Sequence, residues 1–143
     1  ISANAGRINP NAANFAQQLR SINFLNLVYH NGIAVLFHLL RDYPNEIQDC
    51  FIRLFDETKH LQTRVEQFHN ETLEIYRRVE SKLSHHQDER SIATYLTLQY
   101  PDQYTLYKSS VYKKLCDRLS IKPKKILKKC NNALTNCKFN ERN

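Results

Sequence analysis

Lysines crowd the stretch Ile121–Lys129, which reads Ile-Lys-Pro-Lys-Lys-Ile-Leu-Lys-Lys. Proline suits the first helical position, so Pro123 places Lys122, Lys124 and Lys125 at a helix N-terminus. Cations there oppose the positive end of the helix dipole, at a cost of about 0.3–1 kcal/mol each. A chain that accepts this cost is suited to meet an anion, because free backbone N–H groups and ammonium groups together bind phosphate. Lys128 and Lys129 extend the basic surface by a turn, and Lys108, Lys113 and Lys114 add to it from the preceding segment. The plainer alternative is a solvated helix whose lysines only keep the domain soluble.

Tyrosines interleave with these cations as Tyr104, Tyr107, Lys108, Tyr112 and Lys113. Exposed tyrosines stack on bases in single-strand binders. Half-buried tyrosines with the hydroxyl at the rim serve packing instead, and that role is expected for most of them. Alternation with Tyr104 and Leu106 marks Tyr107 as the exposed one.

A second cluster, His85-His86-Gln87-Asp88-Glu89, sets two histidines beside two carboxylates. Adjacent residues point about 100° apart on a helix, and only His85 and Glu89 have the i,i+4 spacing that shares a face. The expectation here is a polar helix boundary, not a metal site. Elsewhere, Asp88 with Glu89 and Asp102 with Asp117 lack the spacing of an acid–base or two-metal pair. Two glycines in 143 residues leave no Walker A loop, dinucleotide fingerprint or nucleophile elbow, each of which needs glycines at fixed offsets. No catalytic residue, metal or cofactor is expected, and the region reads as non-enzymatic.

Charge is unevenly placed. Residues 1–87 hold nine Lys/Arg and nine Asp/Glu, whereas residues 88–143 hold twelve Lys/Arg against five Asp/Glu and so carry the whole formal charge of +7. A localised excess makes one surface attractive to polyanions.

The four cysteines, Cys50, Cys116, Cys130 and Cys137, form no C-x-x-C pair. An even count would allow two disulfides, and Asn70-Glu71-Thr72 is a glycosylation sequon, both of which suit a secreted helical protein. Against this, Cys50, Cys116 and Cys130 fall on apolar helix faces, as reduced core cysteines do. No signal peptide or membrane span is read, and a cytoplasmic protein is expected. The absence of methionine leads us to expect that the native start is missing and that the chain is a fragment of something longer.

The elements that must position these residues all read as helices. Residues 1–12, rich in Asn and Ala, read as a flexible lead-in. Phe15, Leu19, Ile22 and Tyr29 mark one helical face, with Asn31-Gly32 as its stop. Ile33–Tyr43 is apolar almost all round, which places it centrally or under a partner. Pro44 opens a helix with the face Ile47, Cys50, Phe51, Leu54 and Phe55. The longest pattern runs from about Glu57 to Leu83, with Leu61, Val65, Phe68, Ile75, Val79 and Leu83 as a seam and Thr72 where another apolar residue was due. Ile92, Tyr95, Leu96 and Gln99 trace a further face that Tyr100-Pro101 breaks. Gln103–Lys108 reads as short extended or irregular chain. Ser109 or Ser110 then caps a helix that faces Val111, Leu115, Cys116 and Leu119 inward. A last helix from Ser120 and Pro123 faces Ile126, Leu127, Cys130 and Leu134 inward, and the tail from Thr135 frays.

The strings Asp88-Glu89-Arg90-Ser91-Ile92-Ala93-Thr94-Tyr95-Leu96 and Tyr100-Pro101-Asp102-Gln103-Tyr104-Thr105-Leu106-Tyr107-Lys108, with Tyr112 and the Lys-Lys-Leu-Cys after it, carry a resemblance. This block, about residues 87–122, is similar to regions that precede the AAA+ GTPase core of McrB-type restriction proteins. Those proteins are the motor subunits of systems that cut DNA containing modified cytosine, together with a separate nuclease subunit. The block often has tryptophan before the Gln-Asp-Glu-Arg run, where this chain has His86, and the GTPase motifs are absent. The resemblance therefore implies an N-terminal accessory region with a role in target recognition, and it assigns no recognition residues.

The expected architecture is all-α: a neutral helical bundle over 13–86 with a long amphipathic helix, then a small basic helical lobe over 87–143. The expected function is DNA binding through phosphates, with Lys108, Lys113, Lys114, Lys122, Lys124, Lys125, Lys128, Lys129 and Tyr107 as contact residues. The expected partners are DNA, a downstream GTPase region and its nuclease subunit, with homo-oligomers allowed and no membrane. Two alternatives stand beside it. One is a helical protein-interaction or oligomerisation module, and the other is a secreted, disulfide-bonded helical protein.

Overall fold

A computed structural model describes residues 6–24 and 27–124. Among these residues the secondary structure is helical throughout, as the sequence periods predict. The helices are α1 (Phe15–Arg20), α2 (His30–Asp42), α3 (Pro44–Leu54), α4 (Leu61–Arg77), α5 (Glu89–Gln99) and α6 (Ser109–Arg118). No helix among the described residues is long and apolar enough to cross a membrane.

Pro44 opens α3 at its first position, and Ile47, Cys50, Phe51 and Leu54 on one face are all buried. That face lies against α4, α2 and α1. Phe51 is its centre. Its ring lies 5.3 Å from Phe15, 5.0 Å from Phe68 and 5.1 Å from Tyr95, in tilted and edge-on arrangements. Such pairs contribute about 0.5–1.5 kcal/mol each beyond the area they bury. One aromatic cluster thus joins α1, α3, α4 and α5.

Four expectations are corrected. The first helix ends at Arg20, not Tyr29, because the Ser21 hydroxyl donates to the Gln18 carbonyl (2.6 Å) and its N–H turns back to Gln17 and Gln18. His30-Asn31-Gly32 begins α2 instead of stopping α1. Gly32 is needed there for closeness, since a Cβ would meet the His86 carbonyl at 3.0 Å.

Residues 7–12, expected as a flexible lead-in, are tied down. Ile8 is buried in the core. Gln18 Nε2 donates to the Arg7 carbonyl at 2.7 Å, and Gln48 Nε2 donates to the carbonyls of Pro10 and Ala12. The lead-in looked polar because, Ile8 apart, it holds on through backbone groups that the residue pattern does not show.

The long helix is shorter than its pattern. α4 covers Leu61–Arg77, so Val79 and Leu83 lie beyond it and are exposed, as is Leu61 at its first position. Thr72 keeps its place in the seam, fully buried, because its hydroxyl donates to the Phe68 carbonyl one turn back. The segment between α3 and α4 is held by the buried Arg64, which donates to the carbonyls of Leu54 (2.7 Å) and Lys59 (3.0 Å). Its other amine reaches the Tyr104 hydroxyl at 2.8 Å.

Finally, the core does not stop at residue 86. Ile92, Tyr95 and Leu96 of α5 are buried in the same apolar cluster as α1–α4. Tyr95 supplies the physical reason, since its ring fills the space between Phe24, Phe51 and Phe68.

Candidate nucleic-acid interface

Beyond α5 the chain changes character. Tyr100 and Tyr104 anchor the turn after α5: Tyr100 donates to the Phe55 carbonyl (2.9 Å), and Tyr104 donates to Glu57 (3.0 Å). Residues 104–108 are irregular, and α6 follows with Lys108 in the cap position, not a serine. Only Cys116 of α6 is buried. Val111, Leu115 and Leu119, expected to face inward, are 60%, 52% and 58% exposed. A helix with one buried residue has room for a single inward row, and Cys116 with the half-buried Tyr112 fills it.

The end of α6 folds the chain back. Ser120 takes a left-handed conformation (φ 55°), with its N–H bonded to the Asp117 carbonyl and that of Ile121 to Cys116. This is a Schellman termination with serine where glycine is usual. The Lys124 N–H then reaches the Tyr112 hydroxyl at 3.2 Å, which brings the backbone at Lys124 beside α6.

Lys108, Lys113, Lys114, Lys122 and Lys124 are all exposed, and so is Arg118, a cation the sequence reading omitted. Its signal was in plain view, one helical turn after Lys114. Among the described residues the ion pairs run from His38–Asp42 to Arg78–Glu46, and none involves these six cations. One carboxylate, Asp117, shares the exposed surface of α6. Lys125, Lys128 and Lys129, and the helix expected around them, lie outside the described residues.

Tyr107 is not the exposed tyrosine. It is half-buried against Tyr112, with ring centroids 5.9 Å apart, and its hydroxyl bonds the Glu89 side chain. Burial and the Glu89 carboxylate hold its phenol above the usual range. Alternation misread it because the chain there is irregular, so side chains do not alternate between faces.

The histidine–carboxylate cluster is also rearranged. His85 is buried and its Nε2 donates to the His69 carbonyl (3.2 Å), while Asp88 caps α5 by accepting from the Ser91 N–H (3.0 Å). No three His, Cys, Asp or Glu side chains converge on a metal-sized site among the described residues. Cys50 and Cys116 are free thiols, both buried. Burial above all, helped by Glu71, pushes the Cys50 thiol up to about 12, which makes it a poor nucleophile.

No family model, curated protein or solved structure matches this chain.

Proposed function

We propose that the α6 surface binds DNA through its phosphate backbone, as the accessory region of a restriction GTPase of the McrB type. The observation that supports this is the contrast in how charge is used. Arg41, Arg53, Lys59, Arg64 and Arg78 are engaged in ion pairs, whereas Lys108, Lys113, Lys114, Arg118, Lys122 and Lys124 are exposed and enter none. Unpaired exposed cations release counterions when they meet phosphate, which is the main source of backbone affinity. The similarity of the Asp88–Leu96 and Tyr100–Lys108 strings to McrB-type regions is what favours DNA over another polyanion.

Fluorescence anisotropy with a labelled duplex and a labelled single strand tests this reading. Affinity falls steeply between about 50 mM and about 200 mM salt, and each charge-reversed lysine lowers the salt slope by about 1. Lys113→Glu with Lys114→Glu therefore weakens binding across sequences. No binding of the wild-type chain at low salt overturns the proposal. A parent reading frame that lacks a Gly-rich phosphate-binding loop after residue 143 removes the McrB part and leaves the DNA part standing.

A second reading rests on the apolar side chains at the same surface. Leu106, Val111, Leu115, Leu119 and Ile121 are each about half exposed or more, and Val111, Leu115 and Leu119 recur every fourth residue along α6 and its C-cap. A row of this kind fits a protein partner, such as the GTPase region, better than it fits phosphate. Loss of subunit association in Leu115→Ser, with DNA affinity unchanged, separates the two.

A further inference from the structure

The turn between α4 and α5 is built as a polar latch inside the core. Gln87 is fully buried, and its side chain reaches two helices and its own turn. Nε2 donates to the Gly32 carbonyl of α2 (2.8 Å) and to the His85 carbonyl (3.2 Å), and Oε1 accepts from the Tyr95 hydroxyl of α5 (2.7 Å). The Gln87 carbonyl accepts from His69 Nδ1 of α4 at 2.8 Å. His85 closes the arrangement: its ring stands edge-on to His69 at 4.7 Å, stacks on Tyr76, and donates back to the His69 carbonyl. Between them, His86 is held in a left-handed conformation (φ 54°), its ring against Tyr29 and its carbonyl against Gly32. Left-handed backbone at a non-glycine residue persists only while its surroundings enforce it.

Near His85 only the His69 carbonyl, which accepts from Nε2, favours an imidazolium, and burial outweighs it. The groups that act on it electrostatically are His69 and Arg77 of α4 and His86 of its own segment, none of them an anion. Asp88, the nearest carboxylate in sequence, is turned away to cap α5.

We propose that residues 84–88 form an acid-released latch, closed while His85 is neutral and opened when it takes a proton, which frees the start of α5 from α2 and α4. Burial, with the nearby His69, pushes His85 down to about 3, against an ordinary value of 6.5. By linkage, the open form therefore gains about 25-fold in population relative to the closed form between pH 7 and pH 5.

Hydrogen exchange of the 143-residue chain at pH 7 and pH 5, corrected for intrinsic rates, tests this. Peptides over 84–92 lose protection at pH 5 by about 25-fold and exchange faster than those of α3 at both pH values, because they open locally while α3 waits for global unfolding. In His85→Gln, which keeps a side-chain N–H donor and does not titrate, the pH dependence of the 84–92 peptides disappears. Protection of 84–92 as high as that of α3, no loss over 84–92 at pH 5, or an unchanged pH dependence in His85→Gln each overturns the latch. If that variant does not fold, wild-type imidazole NMR decides. A His85 ring still neutral at pH 5 in the closed form supports the latch, and a midpoint near 6.5 overturns it.

Discussion

The hydroxyl of Tyr95 donates to Oε1 of Gln87 at 2.7 Å, and both side chains are fully buried. This bond joins the aromatic cluster to the α4–α5 turn. Tyr95→Phe keeps the ring but leaves Gln87 Oε1 buried without this donor, a loss of about 1–3 kcal/mol. Denaturant titration reads it as a lower midpoint with unchanged slope. Gln87→Leu costs more, because it also strips the Gly32 and His85 carbonyls of the donor that Gln87 supplies.

Arg64 makes a similar bridge at the other end of α4. Its guanidinium joins Leu54, Glu57, Lys59 and Tyr104 with only 3% of the residue exposed. A lysine cannot supply that planar fork. Arg64→Lys is expected to lose about 2 kcal/mol or more. Because Tyr104 then keeps Glu57 but loses the Arg64 donor, limited proteolysis at residues 101–108 accelerates beyond what the stability loss alone accounts for.

Acid stability follows from His85. Its folded value, about 3, lies below the unfolded value of 6.5. The neutral form is therefore favoured on folding, and stability is fully present above pH 6.5 and lost as pH falls from 6.5 toward 3. The total loss from this group is on the order of 4 kcal/mol. Unfolding curves of wild type and His85→Gln at a series of pH values are expected to converge as pH falls through this window.

The thiols give a chemical test. Cys50, pushed up to about 12, and the buried Cys116 are expected to resist alkylation at pH 8 in the folded chain. Both label fully once the chain is unfolded without reductant. If either remains unlabelled then, it is held in a disulfide and the secreted reading gains ground.

Gly32 tests close approach. Its missing Cβ leaves room for the His86 carbonyl, at 3.0 Å from where that atom would stand. Alanine in a helix gains about 1 kcal/mol over glycine. Here Gly32→Ala is expected instead to destabilise by about 1 kcal/mol net, since the backbone of the latch must shift. A rise in thermal midpoint would mean that the turn yields freely.

Periodicity was legible where one face of a helix met the core. Ile47, Cys50, Phe51 and Leu54 could be read from spacing, and so could Val65, Phe68 and Ile75. The exposure of Lys108, Lys113, Lys114, Lys122 and Lys124 was readable too, because exposed charge needs no tertiary partner to explain it. The errors share a cause. Tyr29, Val79, Leu83, Val111, Leu115 and Leu119 continue apolar patterns, yet all are exposed. A period states which residues share a face; it does not state whether anything lies against that face.

Composition and pattern by themselves determined that this chain is helical and that its excess positive charge lies after residue 87. Both are local or additive properties, set by side-chain type and by spacing along one helix. Only the tertiary structure decided that α5 belongs to the common core, that Ile8 is buried, and that Gln87 and His85 lie inside. It also decided that the backbone at Lys124 turns back to Tyr112 of α6. Those outcomes depend on carbonyls and hydroxyls far apart in sequence, such as Gly32 with Gln87 and Lys124 with Tyr112, and no residue pattern records where a backbone carbonyl will find its donor.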